Sequence, residues 1–214
     1  MSHTAIEHPV PRLVPGVDLA AKALLVLLML VAVANPAAVH LEDKAATARA
    51  VGYPVLAFAL PVTWYALWRD RHPFPWVADL LITLPCFSDT LGNRMDLYDR
   101  IVWFDDAVHF VATGMLAAAV VVLTLPRTAS LGAIVERSLA FGVLAALLWE
   151  IAEYFTFLRH HADPAAVYAD TLSDMTLGTL GVLTAALLIH RLWQRDRLLV
   201  PPPPVPDWGV RSGR

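Results

Sequence analysis

Apolar segments long enough to cross a membrane recur along this chain, and they constrain its fold more than any other feature. A transmembrane helix needs about 20 mostly apolar residues. Apolar residues make up 57% of the 214 positions and charged residues only 16%, whereas soluble domains have roughly a quarter charged residues. We therefore predict an all-α polytopic membrane helix bundle at 18–193, between a polar segment at 1–17 and a proline-rich tail at 194–214. The predicted spans are 18–35, 48–68, 76–91, 103–125, 131–157 and 168–193.

The third segment differs from the other five. It is short, Pro85 interrupts it, and the sequence SDTLGN that follows is typical of a turn. We interpret 76–91 as a short span or a re-entrant segment, which is tolerated at membrane depth only when protein shields it.

Basic residues are distributed unevenly between the two sides of the predicted bundle. With both termini on one side, that side has ten basic residues and the opposite side five. The positive-inside rule then places both termini in the cytoplasm, which predicts a multi-pass protein of the bacterial inner membrane. The ten are Arg12, Arg69, Arg71, Arg127, Arg137, Arg191, Arg195, Arg197, Arg211 and Arg214, and the five are Lys44, Arg49, Arg94, Arg100 and Arg159.

Composition and missing motifs exclude several classes of function. The net charge of −3 argues against nucleic-acid binding. Cys86 is the single cysteine, so there is neither an internal disulfide nor a CxxC metal site. Motifs of serine hydrolases, zincins and nucleotide-binding loops are absent from the sequence. Membrane lipids are the expected surroundings, and the oligomeric state is left open.

Six ionisable side chains lie at matched depths on three consecutive spans. Antiparallel neighbours place the start of one helix beside the end of the next, so all six belong to one end of the bundle. Residues three or four positions apart share a helix face, so each pair can point into one cavity. The pairs are Asp105 with His109, Glu150 with Glu153, and Asp170 with Asp174.

Five carboxylates in a dry cavity cannot all remain ionised without compensation, because like charges and burial both oppose ionisation. Carboxylate oxygens with one imidazole suit a divalent ion such as Mg²⁺, Mn²⁺, Zn²⁺ or iron, and we predict all six residues as its ligands. Asp105 ranks ahead of Asp106, since adjacent helical residues diverge by about 100°. The alternative is a structural salt-bridge network with Arg94, Arg100 or Arg159.

The positions of two further acids, Asp89 and Asp79, are predicted only from their depth along the third segment. We expect Asp89 to line the entrance to the site from the outer side. Asp79 lies near the other end of the third segment, and we expect it to face Arg69 or Arg71. Gly178 and Gly181 indicate close helix packing rather than ligand binding.

The favoured function is a metal-dependent membrane hydrolase or transferase that acts on a lipid or lipid-linked envelope molecule. Glu150 or Glu153 would be the catalytic base beside the metal. The rival is a proton- or cation-coupled transporter that uses the same acids as a relay. Its weakness is that the inner halves LAAAVVVLTL and LGVLTAALLI are almost wholly apolar. A structural role for the acids is the third alternative.

The site residues also carry a family resemblance. D-x-x-x-H-F at 105–110 with Gly114, WEIAE at 149–153 and DTLSDM at 170–175 resemble the YjdF-type family of bacterial inner-membrane proteins, a domain of unknown function. The similarity covers roughly residues 75–190. The series Asp170, Asp174 and Gly178 is distantly similar to VanZ-like membrane proteins, which implies a cell-envelope substrate. The resemblance implies the fold and the position of the site, and no established reaction.

Overall fold

The structure is a helical bundle, given by a computed structural model that describes residues 11–39, 46–156, 158–160, 162–198, 200 and 204. These residues contain seven α-helices and no strand, which confirms the predicted fold class. A π-helical turn, Trp64–Trp68, continues α2. The helices are α1 Leu13–Ala34, α2 Ala46–Thr63, α3 Trp76–Arg94, α4 Leu97–Arg100, α5 Phe104–Thr124, α6 Leu131–Thr156 and α7 Pro164–Gln194.

Five of the helices are long and apolar enough to cross a membrane. They are α1, α2 with its π-helical turn, α5, α6 and α7. Helix α3 has 19 residues and is therefore about 28 Å long, close to the roughly 30 Å of a bilayer's apolar core. Large apolar side chains such as Leu30, Val55 and Leu148 are exposed on the outside of the bundle, as expected for surfaces that face lipid.

Helix α3 is continuous, so the predicted interruption at Pro85 and the turn after it are wrong. The polar residues that resemble a turn donate hydrogen bonds back to carbonyls of their own helix. Ser88 Oγ donates to Pro85 O at 3.1 Å, and Thr90 Oγ1 donates to Cys86 O at 2.8 Å. Such side-chain bonds are one way in which membrane helices tolerate proline.

Helices α5 and α7 approach each other closely at glycines, which confirms the predicted packing role of Gly178 and Gly181. A Cβ atom added at Gly114 would lie 2.8 Å from Gly181 O. One added at Gly181 would overlap the carbonyl oxygen of Phe110. A Cβ at Gly178 would lie 3.1 Å from Thr113 Oγ1. The two backbones are therefore in contact over the turns next to His109.

The ends of the bundle differ in part from the predicted boundaries. Helix α7 begins at Pro164 rather than at 168, because Asp163 caps it by accepting bonds from Ala165 N at 3.0 Å and Ala166 N at 3.2 Å. Proline at the first helical position suits this start. Helix α1 already includes Leu13. Residues 1–10 and most of the tail at 194–214 lie outside the described residues.

Candidate functional site

His109 lies at the centre of the acidic cluster, with carboxylates on both sides of its ring. Nε2 lies 3.5 Å from Asp105 Oδ1 and 3.8 Å from Asp174 Oδ2. Nδ1 lies 3.7 Å from Glu150 Oε1. His109, Glu150 and Asp174 are buried, whereas the Asp105 side chain is 42% exposed. The cluster therefore has three buried members and one member that opens to the surface.

Three helices bring these four side chains together. Asp105 and His109 are one turn apart at the start of α5, so they share a face. Glu150 lies near the end of α6 and Asp174 in the first half of α7. The glycine contact between α5 and α7 brings the Asp174 side chain within reach of His109. The matched depths seen in the sequence thus correspond to one spatial cluster.

Among the residues that the structure describes, two groups of side chains offer atoms close enough to hold a metal ion. One comprises Asp105, His109 and Asp174, the other His109, Glu150 and Glu153, and the atoms of each group lie within 4.8 Å of one another. A tetrahedral metal with ligands at about 2.1 Å separates the ligand atoms by about 3.4 Å. The 3.5 and 3.8 Å distances from His109 Nε2 in the first group are close to that value.

Glu150 has a carboxylate oxygen with no hydrogen-bond partner. Among the described residues, no donor reaches its Oε1, which is fully buried, and the side chain as a whole is 6% exposed. A buried acceptor without a donor costs about 1–3 kcal/mol, and more when it is charged. The nearest nitrogen is Nδ1 of His109 at 3.7 Å. Glu150 is thus the carboxylate beside Nδ1, on the side of the ring that faces away from Asp105 and Asp174.

Glu153 differs from Glu150, because it pairs with a cation that the sequence predicts to lie in a loop. Arg49 is buried within α2, where its Nη2 lies 3.5 Å from Glu153 Oε1 and its Nε lies 3.3 Å from Asp89 Oδ2. Its guanidinium also stacks 5.8 Å from the ring centroid of Trp149. Arg49 therefore no longer counts among the loop charges, and the side opposite the termini has four basic residues instead of five.

Asp89 belongs to this network and does not line the entrance as expected. It is buried, and Tyr53 Oη donates to its Oδ2 at 2.6 Å while Tyr98 Oη donates to its Oδ1 at 2.8 Å. Burial raises the pKa of Tyr98 far above its usual value, which keeps this phenol a neutral donor. The spacing of Arg49 and Tyr53, four apart on an apolar helix, is the sequence signal that could have revealed the network.

The remaining predicted residues lie at the edge of the cluster. Asp170 is exposed on α7 and belongs to neither group of potential ligands. Asp106 is also exposed and accepts a bond from Ser173 Oγ at 3.4 Å, so Asp105 is the member of that pair that faces His109. Arg94, Arg100 and Arg159, the basic residues named in the salt-bridge alternative, are all exposed.

A second buried charge cluster lies at the opposite end of the bundle. Asp79 pairs with Lys22 at 2.9 Å, so its expected pairing with Arg69 or Arg71 is wrong. Lys22 Nζ also lies 2.7 Å from Asp18 Oδ1. The start of α1 packs beside the start of α3, so Lys22 reaches Asp79 inside the bundle, while Arg69 lies outside and pairs with Asp70. Two charges four residues apart in the first apolar run, Asp18 and Lys22, are the signal for this cluster.

The fold and the two buried charge clusters define a polytopic helical membrane protein with a potential metal site near one end. The chain belongs to the DUF2238 family of predicted membrane proteins, whose family pattern matches residues 21–195. That match includes all six candidate ligands and both charge clusters except Asp18. No curated protein and no solved structure matches the chain.

Proposed function

We propose that His109 binds a divalent metal ion through Nε2, together with one carboxylate each from Asp105 and Asp174. The observation that carries this proposal is the arrangement around the ring, with two carboxylates at 3.5 and 3.8 Å from Nε2 and a third at 3.7 Å from Nδ1. Metal-bound histidines usually donate their other N–H to a carboxylate, which fixes the tautomer and the ring. Glu150, with its unpartnered Oε1, supplies that carboxylate.

The alternative group with Glu150 and Glu153 is a poorer metal site. Arg49 lies 3.5 Å from Glu153 Oε1, so a metal ion there would meet a fixed positive charge. In the described part of the chain, Asp105 and Asp174 pair with His109 and not with a lysine or arginine. Electrostatics therefore favours the side of the ring that faces Asp105 and Asp174.

Three protein ligands favour an enzyme over a structural metal site. Structural zinc sites are closed by four ligands, whereas catalytic sites keep one position open for water or substrate. Asp105, the exposed ligand, gives that open position access to the surface. A bound metal ion would lower the pKa of water and supply hydroxide at neutral pH. Glu150 then positions the imidazole, rather than acting as the catalytic base that the sequence suggests.

The proposed reaction is hydrolysis or group transfer on a lipid or lipid-linked molecule of the cell envelope. The site lies near the ends of membrane-length helices, so an amphiphilic substrate can reach it sideways from the bilayer. We propose the bacterial inner membrane as its location, with the site at the outer leaflet. The proposal of an envelope substrate rests on the resemblance of the series Asp170, Asp174 and Gly178 to VanZ-like proteins.

Metal analysis of the purified protein in lipid nanodiscs tests the site. We expect close to one Zn²⁺, Mn²⁺ or iron per chain, lost in Asp174→Asn. Glu150→Gln should keep the metal at saturation but bind it roughly 10–100-fold more weakly in competition with a chelator. Glu136→Gln is the matched control, because Glu136 is exposed on the same helix. Equal metal content in the wild type, Asp174→Asn and Glu136→Gln would contradict the proposal.

Turnover is tested with the metal-loaded protein and a panel of phospholipids and polyprenyl diphosphates, with products followed by mass spectrometry. We expect a product that disappears in Asp174→Asn and persists in Glu136→Gln. Metal binding without any product would support the proposed metal site and contradict the proposed enzymatic activity.

Cation-coupled transport is the second candidate, and one observation favours it. The predicted inner halves of α5 and α7 are apolar, but α1 and α3 place Asp18, Lys22 and Asp79 inside the bundle at that end. A carrier needs polar groups at both ends of its path. Metal or proton flux into proteoliposomes that requires His109 and Asp174 would favour transport over catalysis.

A further inference from the structure

The cluster of Asp18, Lys22, Asp79 and Thr83, here called the α1–α3 cluster, lies at the end of the bundle away from His109. All four side chains are buried, and those of Asp18 and Asp79 are each 1% exposed. Asp18 and Lys22 lie near the start of α1, and Asp79 and Thr83 near the start of α3. The cluster is independent of the proposed metal site.

The hydrogen-bond donors of this cluster are fully used. Lys22 Nζ has three protons, and it lies 2.7 Å from Asp18 Oδ1, 2.9 Å from Asp79 Oδ2 and 2.5 Å from Thr83 Oγ1. Thr83 has one proton to give, with Asp18 Oδ1 at 2.8 Å and Asp79 O at 2.9 Å as acceptors. Neither donor has a proton left for another atom.

Two carboxylate oxygens remain without a donor. Asp18 Oδ2 and Asp79 Oδ1 are buried and have no hydrogen-bond partner among the described residues. With both acids ionised and Lys22 protonated, the cluster carries one net negative charge. An uncompensated charge in an apolar span is costly. The cluster thus lacks one positive charge, and it has two carboxylate oxygens to which a positively charged species can bind.

The described surroundings of the cluster do not supply that charge. The adjoining halves of α2 and α5, residues 57–68 and 115–124, have no acidic or basic residue. The charged groups that act on Asp79 are Lys22 and Asp18, and the next ionisable side chain along α3 is the thiol of Cys86. No side chain in the described part of the chain supplies the missing charge, so we look for it in a bound species.

We propose that Asp18 and Asp79 together hold one exchangeable proton beside Lys22, which makes the α1–α3 cluster a proton-binding site. A proton on Asp18 Oδ2 or Asp79 Oδ1 neutralises the net charge of the cluster. It also provides a hydrogen-bond donor at a place where neither oxygen has one. A metal cation would need several oxygen ligands, and it would lie beside the ammonium group of Lys22. The cluster therefore suits a proton better than a metal ion.

Infrared spectroscopy of the full-length protein in nanodiscs, with carboxyl-labelled aspartate, tests the site at neutral pH. We expect the carbonyl stretch of one protonated aspartic acid that is missing from Asp18→Asn and equally from Asp79→Asn. Each substitution leaves one aspartate paired with Lys22, so the cluster is neutral and needs no proton. Asp70→Asn is the control, because the Asp70 side chain is 88% exposed, and it should leave the band intact.

Three results would overturn the proposal. One is a spectrum without a difference between the wild type and the Asp18→Asn and Asp79→Asn variants, when both retain the helical circular dichroism of the wild type. Another is a band lost in only one of the two variants, which would indicate an acid protonated on its own. The third is a band that disappears when Na⁺ replaces K⁺ at constant ionic strength, which would identify a sodium site. None of these results depends on the metal content at His109.

Discussion

Single side chains in this protein decide how buried charge is distributed. The guanidinium of Arg49 pairs with both Asp89 and Glu153. Glu150, one turn earlier on α6 than Glu153, has a carboxylate oxygen without a hydrogen-bond partner among the described residues. Two glutamates of the same short motif thus face different electrostatic surroundings. This difference is why we assign Glu150 to His109 and regard Glu153 as part of a structural ion pair.

The hydroxyl of Tyr53 should stabilise the Arg49 network. It donates to Asp89 Oδ2 at 2.6 Å, and the ring stacks on Trp149 with centroids 6.0 Å apart. Tyr53→Phe keeps the ring and removes the donor, which should cost about 1–3 kcal/mol of unfolding free energy. Thermal unfolding in detergent measures the effect. Tyr65→Phe is the control, because Tyr65 is exposed, and equal stabilities of the two variants would contradict the prediction.

At the level of elements, the α5–α7 pair is the support of the site. Gly114 and Gly181 allow the two backbones to touch just beyond His109 and Asp174. Small residues are what permits such an approach between membrane helices. The distance between His109 and Asp174 therefore depends on residues that bear no functional group.

Gly181→Ala should separate these helices. The new methyl group would overlap the carbonyl oxygen of Phe110, which is backbone and cannot rotate away. We expect a loss of roughly 1–3 kcal/mol in stability and weaker metal binding at His109. Unfolding and chelator competition on one preparation measure both. Gly52→Ala is the matched control, since a Cβ there meets nothing within 4 Å; a wild-type metal affinity in Gly181→Ala would count against this account.

Helix α3 shows why element boundaries were harder to predict than element type. The sequence SDTLGN has the composition of a turn, yet its hydroxyl and amide groups bond to carbonyls of the same helix, as Asn93 Nδ2 does to Asp89 O at 2.9 Å. Local composition cannot distinguish these two uses of a polar side chain. The tertiary contacts that settle the choice come from α1, α2 and α5.

For the whole molecule, the two ends of the bundle have different buried polar groups. His109 and the Arg49 network occupy one end, and the α1–α3 cluster occupies the other. Helix α3 belongs to both, through Asp89 near its end and Asp79 near its start. The molecule therefore places buried charge near both ends of its membrane-length helices, with apolar packing around Leu25 and Met29 alongside.

The orientation of the bundle remains a prediction that reporter fusions can decide. Arg191, Arg195 and Arg197 cluster at the end of α7, and Arg69 and Arg71 follow α2 on the same side. By the positive-inside rule this side is cytoplasmic. Fusions after Arg197 should report the cytoplasm, and fusions within 159–163 the periplasm. The reverse pair of signals would invert the molecule and move the His109 site to the cytoplasmic leaflet.

Contacts were easier to predict from the sequence when they followed from the position of a residue along its own helix than when they joined helices distant in sequence. Depth on a helix follows from counting residues, so the proximity of Asp105, His109, Glu150 and Asp174 could be anticipated. Which helix lies beside which could not be anticipated, so the pairing of Lys22 with Asp79 was not predicted. Arg49 was misplaced for the same reason, because the acids that it pairs with in the bundle, Asp89 and Glu153, are distant in sequence.

The length of α7 bears on whether protein or lipid shields Asp174 from water. Its 31 residues extend about 46 Å, well beyond the roughly 30 Å apolar layer, so part of the helix lies in the headgroup or aqueous region or the helix is tilted. Asp174 is nevertheless only 3% exposed in the chain by itself, without any lipid around it. The side chain is therefore shielded from solvent by neighbouring helices. The same cluster of side chains around His109 should persist in a detergent micelle, independent of the thickness of the original bilayer.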